Sequence, residues 1–337
     1  MDRLKRILSE ASVYTGLLMG AGFASGKEIM TYFVSFGSNW IKAMLLATAL
    51  FSIAGGILYY LSYYSGGSLS ALLYGKRNSL LELINGSFLL TLFWAMISAA
   101  GTQAEETFGI SRLLGMTVVL IFGLMMSWAH KALELVNSIL TVIMIFGGII
   151  VFSAFFCLER EPVLLQQKSG WVISALLYVS YNLLPVVPVL ECVRGSWKNG
   201  KEAFLSGMTG GCFLGICGLV LGCVLEGTKG AHLMELPVYQ AAITCGRGIG
   251  FVASTVILSA ILSTVSSTCP GSIVFFQRIG FSKKKAYFYL ILGTVISIFF
   301  PFSFFVGYGY RMFGFLGFIQ LMLLWVRFVQ MIKFPAK

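Results

Sequence analysis

Inside an apolar medium, only a few kinds of group could hold a small ion or solute. They are backbone groups freed by an interrupted helix, polar side chains at mid-span and a carboxylate withdrawn from water. All three occur in this chain. Residues 16–28 read GLLMGAGFASGKE, a glycine-rich stretch where a membrane helix is normally built of large aliphatic residues. It ends on Lys27 and Glu28. Residues 171–191 read WVISALLYVSYNLLPVVPVLE, with Tyr181 and Asn182 at mid-span followed by Pro185 and Pro188. Each proline removes a backbone donor and crowds the preceding turn. Unpaired backbone groups cost several kcal/mol each in hydrocarbon, so such interruptions persist only where they face a cavity or a ligand.

The chemistry that follows is the binding of a small charged or zwitterionic molecule by backbone groups. The amides near Phe23–Gly26, at the start of an outer half-helix, would face an anion. The carbonyls at the end of the first half, around Gly16–Gly20, would face a cation. Glycines let a solute approach the backbone closely. The residues expected to line the solute are therefore Gly20, Ala21, Gly22, Phe23, Ala24, Ser25, Gly26, Tyr181 and Asn182. Carbonyls around Val179–Asn182 would take its cationic end. An ionisable residue within a span is costly and functional by default. Glu28 is thus a candidate gating or coupling residue, able to carry a proton, bind an amine or close an outer ion pair, with Arg247 as a possible partner. It could equally stabilise the short half-helix from a watery vestibule, and Lys27 is read in that second way. Ordinary small-residue packing, with Gly20 and Ala24 at a helix crossing, is the competing reading of the first stretch.

These residues need a membrane scaffold to position them, and the composition supplies one. The 337-residue chain is 58% hydrophobic and 11% charged, with a mean hydropathy of +0.88; soluble domains carry about 25% charged residues. Ten apolar segments of helical length can be marked, at about 11–36, 41–64, 80–107, 112–129, 132–157, 170–190, 202–225, 248–268, 285–303 and 311–332. The first is read as a retained helix and not as a cleaved signal peptide. With the N-terminus inside, 16 of the 24 basic residues fall on the cytoplasmic side, among them Lys76, Arg77, Lys131, Arg194, Lys198 and Lys337. Lys42, Arg112, Arg160, Lys168 and Lys229 fall outside. The bias places both termini on the cytoplasmic side of the membrane that the chain crosses, and the resemblance described below implies that this is a bacterial cytoplasmic membrane. The bias also accounts for the net charge of +11 without a nucleic-acid partner.

Short helices are expected within 66–79 and, started by Pro237, within 231–247. Glu105 and Glu106 are read as an interfacial cap at the outer end of the third span. Glu134, Glu191 and Glu202 lie beside basic residues near the inner surface. The phenylalanines after residue 298 are read as lipid-facing or packing surface. Seven scattered cysteines and two distant histidines give neither a disulfide framework nor a metal site. The interruptions fall in spans one and six. Five spans per half mean that the second half enters from the opposite face, so the arrangement is a five-plus-five inverted repeat, about 11–157 and 170–303, within one domain over 1–337. Spans nine and ten cover about 285–332. Interrupted segments at corresponding places are the sequence pointer to a transporter's binding site.

GAGFASGKE at 20–28, SYNLLP at 180–185 and the number of spans resemble the YkvI-type bacterial membrane proteins, relatives of the amino acid–polyamine–organocation transporters with a LeuT-type fold. The resemblance implies an all-α integral membrane protein with broken helices one and six. It also implies a sodium site, with carbonyls from Gly16 and Met19 before Gly20-Ala21-Gly22, a carbonyl from Ala260, and hydroxyls from Ser263 and Thr264 in AILST (260–264). Relatives that run on protons leave the coupling ion open between sodium and the proton.

The function expected is a secondary transporter of a small polar solute, an amino acid or related zwitterion or amine, working by alternating access. The alternative is a receptor of the same fold that senses a solute without moving it. No cofactor is called for, and the expected partners are the solute and the lipid bilayer. The motifs of intramembrane proteases are missing, so the chain is not read as an enzyme.

Overall fold

The computed structural model describes residues 3–66, 69–75, 79–156, 168–192, 195 and 197–333. The secondary structure of these residues is helical throughout, without a strand. In chain order the helices are α1 (Arg3–Leu18), α2 (Ala21–Ala24), α3 (Lys27–Tyr32), α4 (Trp40–Tyr64), α5 (Leu69–Tyr74), α6 (Ser79–Phe108), α7 (Arg112–Met126) and α8 (His130–Phe155). They continue with α9 (Trp171–Leu183), α10 (Val186–Cys192), α11 (Gly200–Glu226), α12 (Pro237–Thr244), α13 (Arg247–Arg278), α14 (Lys283–Ser297), α15 (Phe302–Phe304) and α16 (Tyr310–Lys333). Lys76, Arg77, Arg160, Arg194 and Lys337, on which part of the charge asymmetry rests, lie outside the described residues, as do the side chains of Lys131, Glu134 and Glu191.

Among the described residues, seven helical segments are long and apolar enough to cross a membrane. The three other spans read from the sequence are present as α1, α7 and α14, of 16, 15 and 15 residues, shorter than the ~20 residues of a full crossing. Large apolar side chains point outward from these helices, including Val118, Ile121, Phe146, Ile149 and Ile296. In water such a surface would drive association; around a multi-pass membrane protein it meets lipid. The phenylalanines after residue 298 divide between the two roles expected of them, since Phe299 and Phe315 face outward while Phe302 and Phe313 are buried.

Several boundaries differ from the sequence reading: the first helix starts at Arg3, ahead of residue 11, helix begins at Phe302, ahead of residue 311, and two others differ for reasons of proline chemistry. The eighth span does not stop at residue 268 but runs to Arg278 with Pro270 inside it. A membrane helix tolerates an internal proline when its neighbours satisfy the freed carbonyl. The ninth ends at Ser297, not 303, because Pro301 disfavours helical geometry in the residue before it. The short helices expected within 66–79 and 231–247 are α5 and α12, the latter with Pro237 in its first turn. Asn199 caps α11 by accepting the Glu202 N–H at 2.9 Å, which satisfies one of the open donors of a helix start.

The tightest contact in the fold is between α4 and α11. Gly207, Gly211, Gly215, Gly218 and Gly222 lie along one side of α11. A methyl group at each would run into Gly55, Ser52, Thr48, Met44 and Trp40 of α4 respectively. At Gly207 and Gly211 the obstacle is the α4 backbone itself. Such approach suits a membrane interior, where no hydrophobic effect drives helices together and dispersion at short range must do so. α1 packs along the same helix, its Thr15 hydroxyl donating to Gly210 O at 3.0 Å. Gly207→Leu is expected to push α4 and α11 apart and to destabilise the fold by about 1–3 kcal/mol, the scale of core overpacking. A lowered thermal midpoint of the detergent-purified variant would register this, while Gly→Leu at half-buried Gly148, where nothing lies within 4 Å, should leave the midpoint near that of the parent.

Candidate functional site

α1 stops at Leu18, and the Met19 N–H still reaches Thr15 O at 2.9 Å. Gly20 is extended, with φ −77° and ψ −177°, and the chain then makes the single turn α2. Gly26, at φ +78°, turns it again into α3, a backbone state in which a residue with a side chain is strained. The first span is thus interrupted twice, at 19–20 and at 25–26. The amides expected to be free around Phe23–Gly26 are largely used: Ala24, Ser25 and Gly26 donate to Gly20, Ala21 and Phe23 carbonyls at 2.8–3.0 Å. The helical ladder begins only at Ala24, so the amides of Ala21, Gly22 and Phe23 precede its first bond.

The two sides of this interruption differ. Gly16 and Gly20 have no heavy atom within 4 Å of where a side chain would begin, and Gly16 is exposed. Gly22 and Gly26 are sealed, the first by the Glu28 carboxyl and the second by Val238 and Leu225.

In the sixth span α9 ends at Leu183, and the Leu184 N–H falls back on Tyr181 O at 3.2 Å. Pro185 has no N–H to offer, and α10 begins at Val186. The break therefore lies at Leu184–Pro185, the end of the stretch singled out in the sequence. Gln320 of α16, 3% exposed, donates from Nε2 to Leu183 O at 2.7 Å, and the Tyr74 hydroxyl of α5 donates to Gln320 Oε1. Asn182 reaches back one turn, donating to Tyr178 O at 2.9 Å.

Glu28 stands between the two interrupted spans. Its carboxyl is buried (6% exposed for the residue), lies against Gly22, and accepts the Tyr178 hydroxyl at 3.2 Å. Tyr32, Tyr178, Tyr181 and Tyr310 pack around this site. Tyr32 is 5.4 Å from Tyr178 and 5.5 Å from Tyr181, ring centre to ring centre. Tyr178 and Tyr181 are 5.5 Å apart, and Tyr181 and Tyr310 are 5.1 Å apart. The Tyr32 hydroxyl donates to Val306 O at 3.0 Å. The hydroxyls of Tyr181 and Tyr310 are buried without a hydrogen-bond partner, which is costly in a dry interior. Chemically this is an acceptor-rich, aromatic site able to exchange a proton or meet a donor.

Beyond it, toward the loop before α12, the site is closed by charge and backbone. Lys27 Nζ donates to Met234 O at 2.6 Å and lies 3.9 Å from Glu235. Glu235 accepts the Ser303 N–H at 2.7 Å, and Val238 N donates to Ser25 O at 2.9 Å. One carboxylate so joins α3, the loop before α12 and the start of α15. Arg247 is exposed and makes no ion pair with Glu28; the outer pair is Lys27–Glu235, because Lys27 points up to the loop while Glu28 folds down on Gly22. Lys27 is accordingly buried at a contact, in place of the watery vestibule expected for it. Glu105 and Glu106 are exposed, as a cap would be, and Glu106 feels the charges of Lys27 and Glu235.

The residues implied as a cation site are distributed as follows. Gly16 and Met19 flank the end of α1. Ala260, Ser263 and Thr264 share one stretch of α13. Thr264 donates to Ala260 O at 2.9 Å, and Ser263 donates to Asn137 Oδ1 of α8 at 3.0 Å, where Ser266 also donates at 2.9 Å. Ser263 therefore turns to α8 here. At the opposite end, Arg6 donates to Glu202 at 3.0 Å and Arg3 lies 3.8 Å from the same carboxylate, so Glu202 is paired as its basic surroundings led one to expect.

Gln320, Tyr310, Asn137 and Glu235 were not singled out from the sequence. Gln320 is the mid-helix amide of an apolar helix whose second amide, Gln330, lies near its end, and could have been found on that ground; the other three carry no local signal. Gln320→Leu is expected to strand the Leu183 carbonyl and to cost about 1–3 kcal/mol, read as a lowered thermal midpoint, with Gln320→Glu closer to the parent.

Among the described residues, no three His, Cys, Asp or Glu side chains converge as a metal site. No protein-family model matches the chain. Over 280 residues it is 26% identical to the uncharacterized membrane protein YkvI of Bacillus subtilis (strain 168), a match covering 79% of this chain and 80% of that protein. Over 237 residues it is 24% identical to the uncharacterized protein YyaD of the same strain, covering 66% and 68% respectively. Among solved structures, a mutant form of the manganese transporter of Eremococcus coleocola superposes with a TM-score of 0.58 at 10% identity, over 96% of this chain and 85% of that one. The inward-facing conformation of Mhp1 superposes with a TM-score of 0.51 at 11% identity, over 96% and 75%. At such identities the likeness is one of fold. The chain is thus similar in sequence to YkvI and shares its fold with these transporters, the LeuT-type fold that its motifs resemble.

Proposed function

We propose that this protein is a secondary transporter of a small polar organic solute, an amino acid or related zwitterion or amine, driven by sodium or protons. The observation that carries the reading is the pair of interrupted spans meeting at a buried carboxylate, sealed on the Lys27–Glu235 side and open beside Gly16 and Gly20. A carrier must expose one site to each side in turn, and an arrangement closed at one end and open at the other is what one half of such a cycle requires. The fold shared with a manganese transporter supports transport as the class of activity. The donor set here argues for a cargo other than that metal, because hard and borderline divalent cations want several converging charged or imidazole ligands.

Ten crossings in two inverted halves, both termini in the cytoplasm and a place in the bacterial cytoplasmic membrane belong to this reading. So do the solute-lining residues Gly20–Gly26, Tyr181 and Asn182. Ala21, Gly22 and Phe23, whose amides precede the first helical bond, are the backbone donors nearest a solute's acidic end. Sodium, if it is the driver, is held by Gly16, Met19, Ala260, Ser263 and Thr264, with Ser263 turning from Asn137 to the ion as α1 approaches α13.

Purified protein in liposomes is expected to accumulate at least one radiolabelled amino acid or amine when a sodium or proton gradient is imposed. Saturable binding with no flux under either gradient would favour the receptor alternative. Should uptake depend on sodium, Ser263→Ala with Thr264→Ala is expected to abolish that dependence; uptake that stays sodium-dependent in the double variant would refute the cation site.

A further inference from the structure

Among the described residues Glu28 has no counter-ion. Its carboxyl accepts a hydrogen bond from the neutral phenol of Tyr178. The neighbouring ammonium of Lys27 is turned outward to Met234 O and Glu235, with Glu106 beyond that pair. The guanidinium of Arg311 is exposed and stands over the ring of Tyr32, 5.8 Å from its centre. The remaining groups that face the carboxyl are phenols: Tyr32 from α3, Tyr178 and Tyr181 from α9, and Tyr310 from α16. From α11 and α12 the neighbours at this level are the aliphatic Leu225 and Val238, against Gly26, and His232 and Tyr239 sit in the outer loop and on α12. A carboxylate withdrawn from water without a cation is strongly disfavoured and resolves by neutralisation.

What neutralises it must fit the space. A substrate ammonium would suit a carboxylate ringed by phenols, but these rings already touch, at 5.1–5.5 Å between centres, which is the range of packed aromatic pairs. A proton needs no room. It also has a path. The carboxyl lies on Gly22, only two residues from Gly20, whose side faces open space, while the outer route is blocked by Val238 on Gly26.

We infer that Glu28 is the proton-coupling group of this protein: it is protonated from the outer side as α3 closes beneath the Lys27–Glu235 pair, and gives the proton up toward the open side of the Gly20 interruption. Ionised, Glu28 favours α3 swung out into water; neutral, it permits α3 to pack on Tyr178. The inference rests on the transport reading and names its driving ion. One bond changes, the carboxyl O–H, which forms with a proton from the outer solution and breaks to water on the inner side.

The test needs no solute, so it fails or succeeds separately from transport. Infrared difference spectra of the purified full-length protein at neutral pH are expected to contain the C=O band of a protonated carboxyl that shifts on deuteration. Glu28→Gln should remove it. Tyr178→Phe should keep it but move it to higher frequency, since the carbonyl loses its hydrogen bond. A second readout follows the gate. In Val238→Cys protein at one mildly alkaline pH, a membrane-impermeant thiol reagent should label Cys about tenfold more slowly when Glu28→Gln is added, because the neutral amide holds the outer side closed, a shift from a partly open to a mainly closed population. An unchanged carboxyl band in Glu28→Gln, a band unmoved by Tyr178→Phe, or equal labelling in the two backgrounds would each overturn the proposal. Loss of solute uptake with the band intact would instead count against the transport reading alone.

Discussion

The structure is governed by the cost of an unpaired backbone group in hydrocarbon. A continuous helix avoids that cost by pairing within itself, whereas an interrupted one must find partners elsewhere. The two interrupted spans answer this demand differently. In the sixth, Pro185 brings no N–H to the Tyr181 carbonyl, which accepts from Leu184 instead, and the Leu183 carbonyl at the end of α9 is claimed by Gln320, which Tyr74 of the short helix α5 orients in turn. In the first, the turn at Gly26 is held from above by Val238 through Ser25, while the amides ahead of Ala24 and the space beside Gly20 are left to whatever enters. One break is thereby a fixed structural joint and the other the open element of the site.

This division explains how much could be read from residues alone. The interruptions were legible because glycine and proline act locally, on the backbone of the residues that carry them. Most helix ends were legible within a few positions, but not where α1 starts at Arg3 ahead of the apolar run, where helix begins at Phe302 ahead of the tenth span, or where Pro270 was accommodated by its neighbours and Pro301 was not. The partners were not legible. That Lys27 would reach Met234 O and Glu235 and leave Arg247 exposed depends on how the loop before α12 lies over α3, the contact with Met234 spanning 207 residues of chain. Tyr310 joins the cluster around Glu28 only because α16 lies against α9. Glu28 itself was marked as unusual by its charge, but its lack of a cation partner among the described residues is a property of the packed structure. The implied cation ligands are a third case, since their spacing is present in the sequence while Ser263 is engaged by Asn137 of a different helix.

Closure on one side and openness on the other meet at a single short segment, residues 20–28. Its upper end is tied to the loop before α12 and the start of α15, and its lower end continues into α1, which rides on α11. Small displacements of α1 or α3 would therefore alter the surroundings of Glu28 and Gly20 together, the kind of bistable coupling that packed interfaces support more readily than continuous deformation.

The glycine seam between α4 and α11 bears on where such displacement can occur. With backbone set directly on backbone at Gly207 and Gly211, neither helix can slide along the other by a fraction of a turn without the Gly55 carbonyl or the Ser52 backbone blocking its way. The two helices behave mechanically as one beam. Any rearrangement that opens the inner or outer side must then be borne by segments that are not welded to it, and α1, although it lies on α11, is joined to α3 only through the extended Gly20 and the turn of α2. The seam thus makes the weakest part of the first span the place where motion concentrates, because so little else nearby can yield.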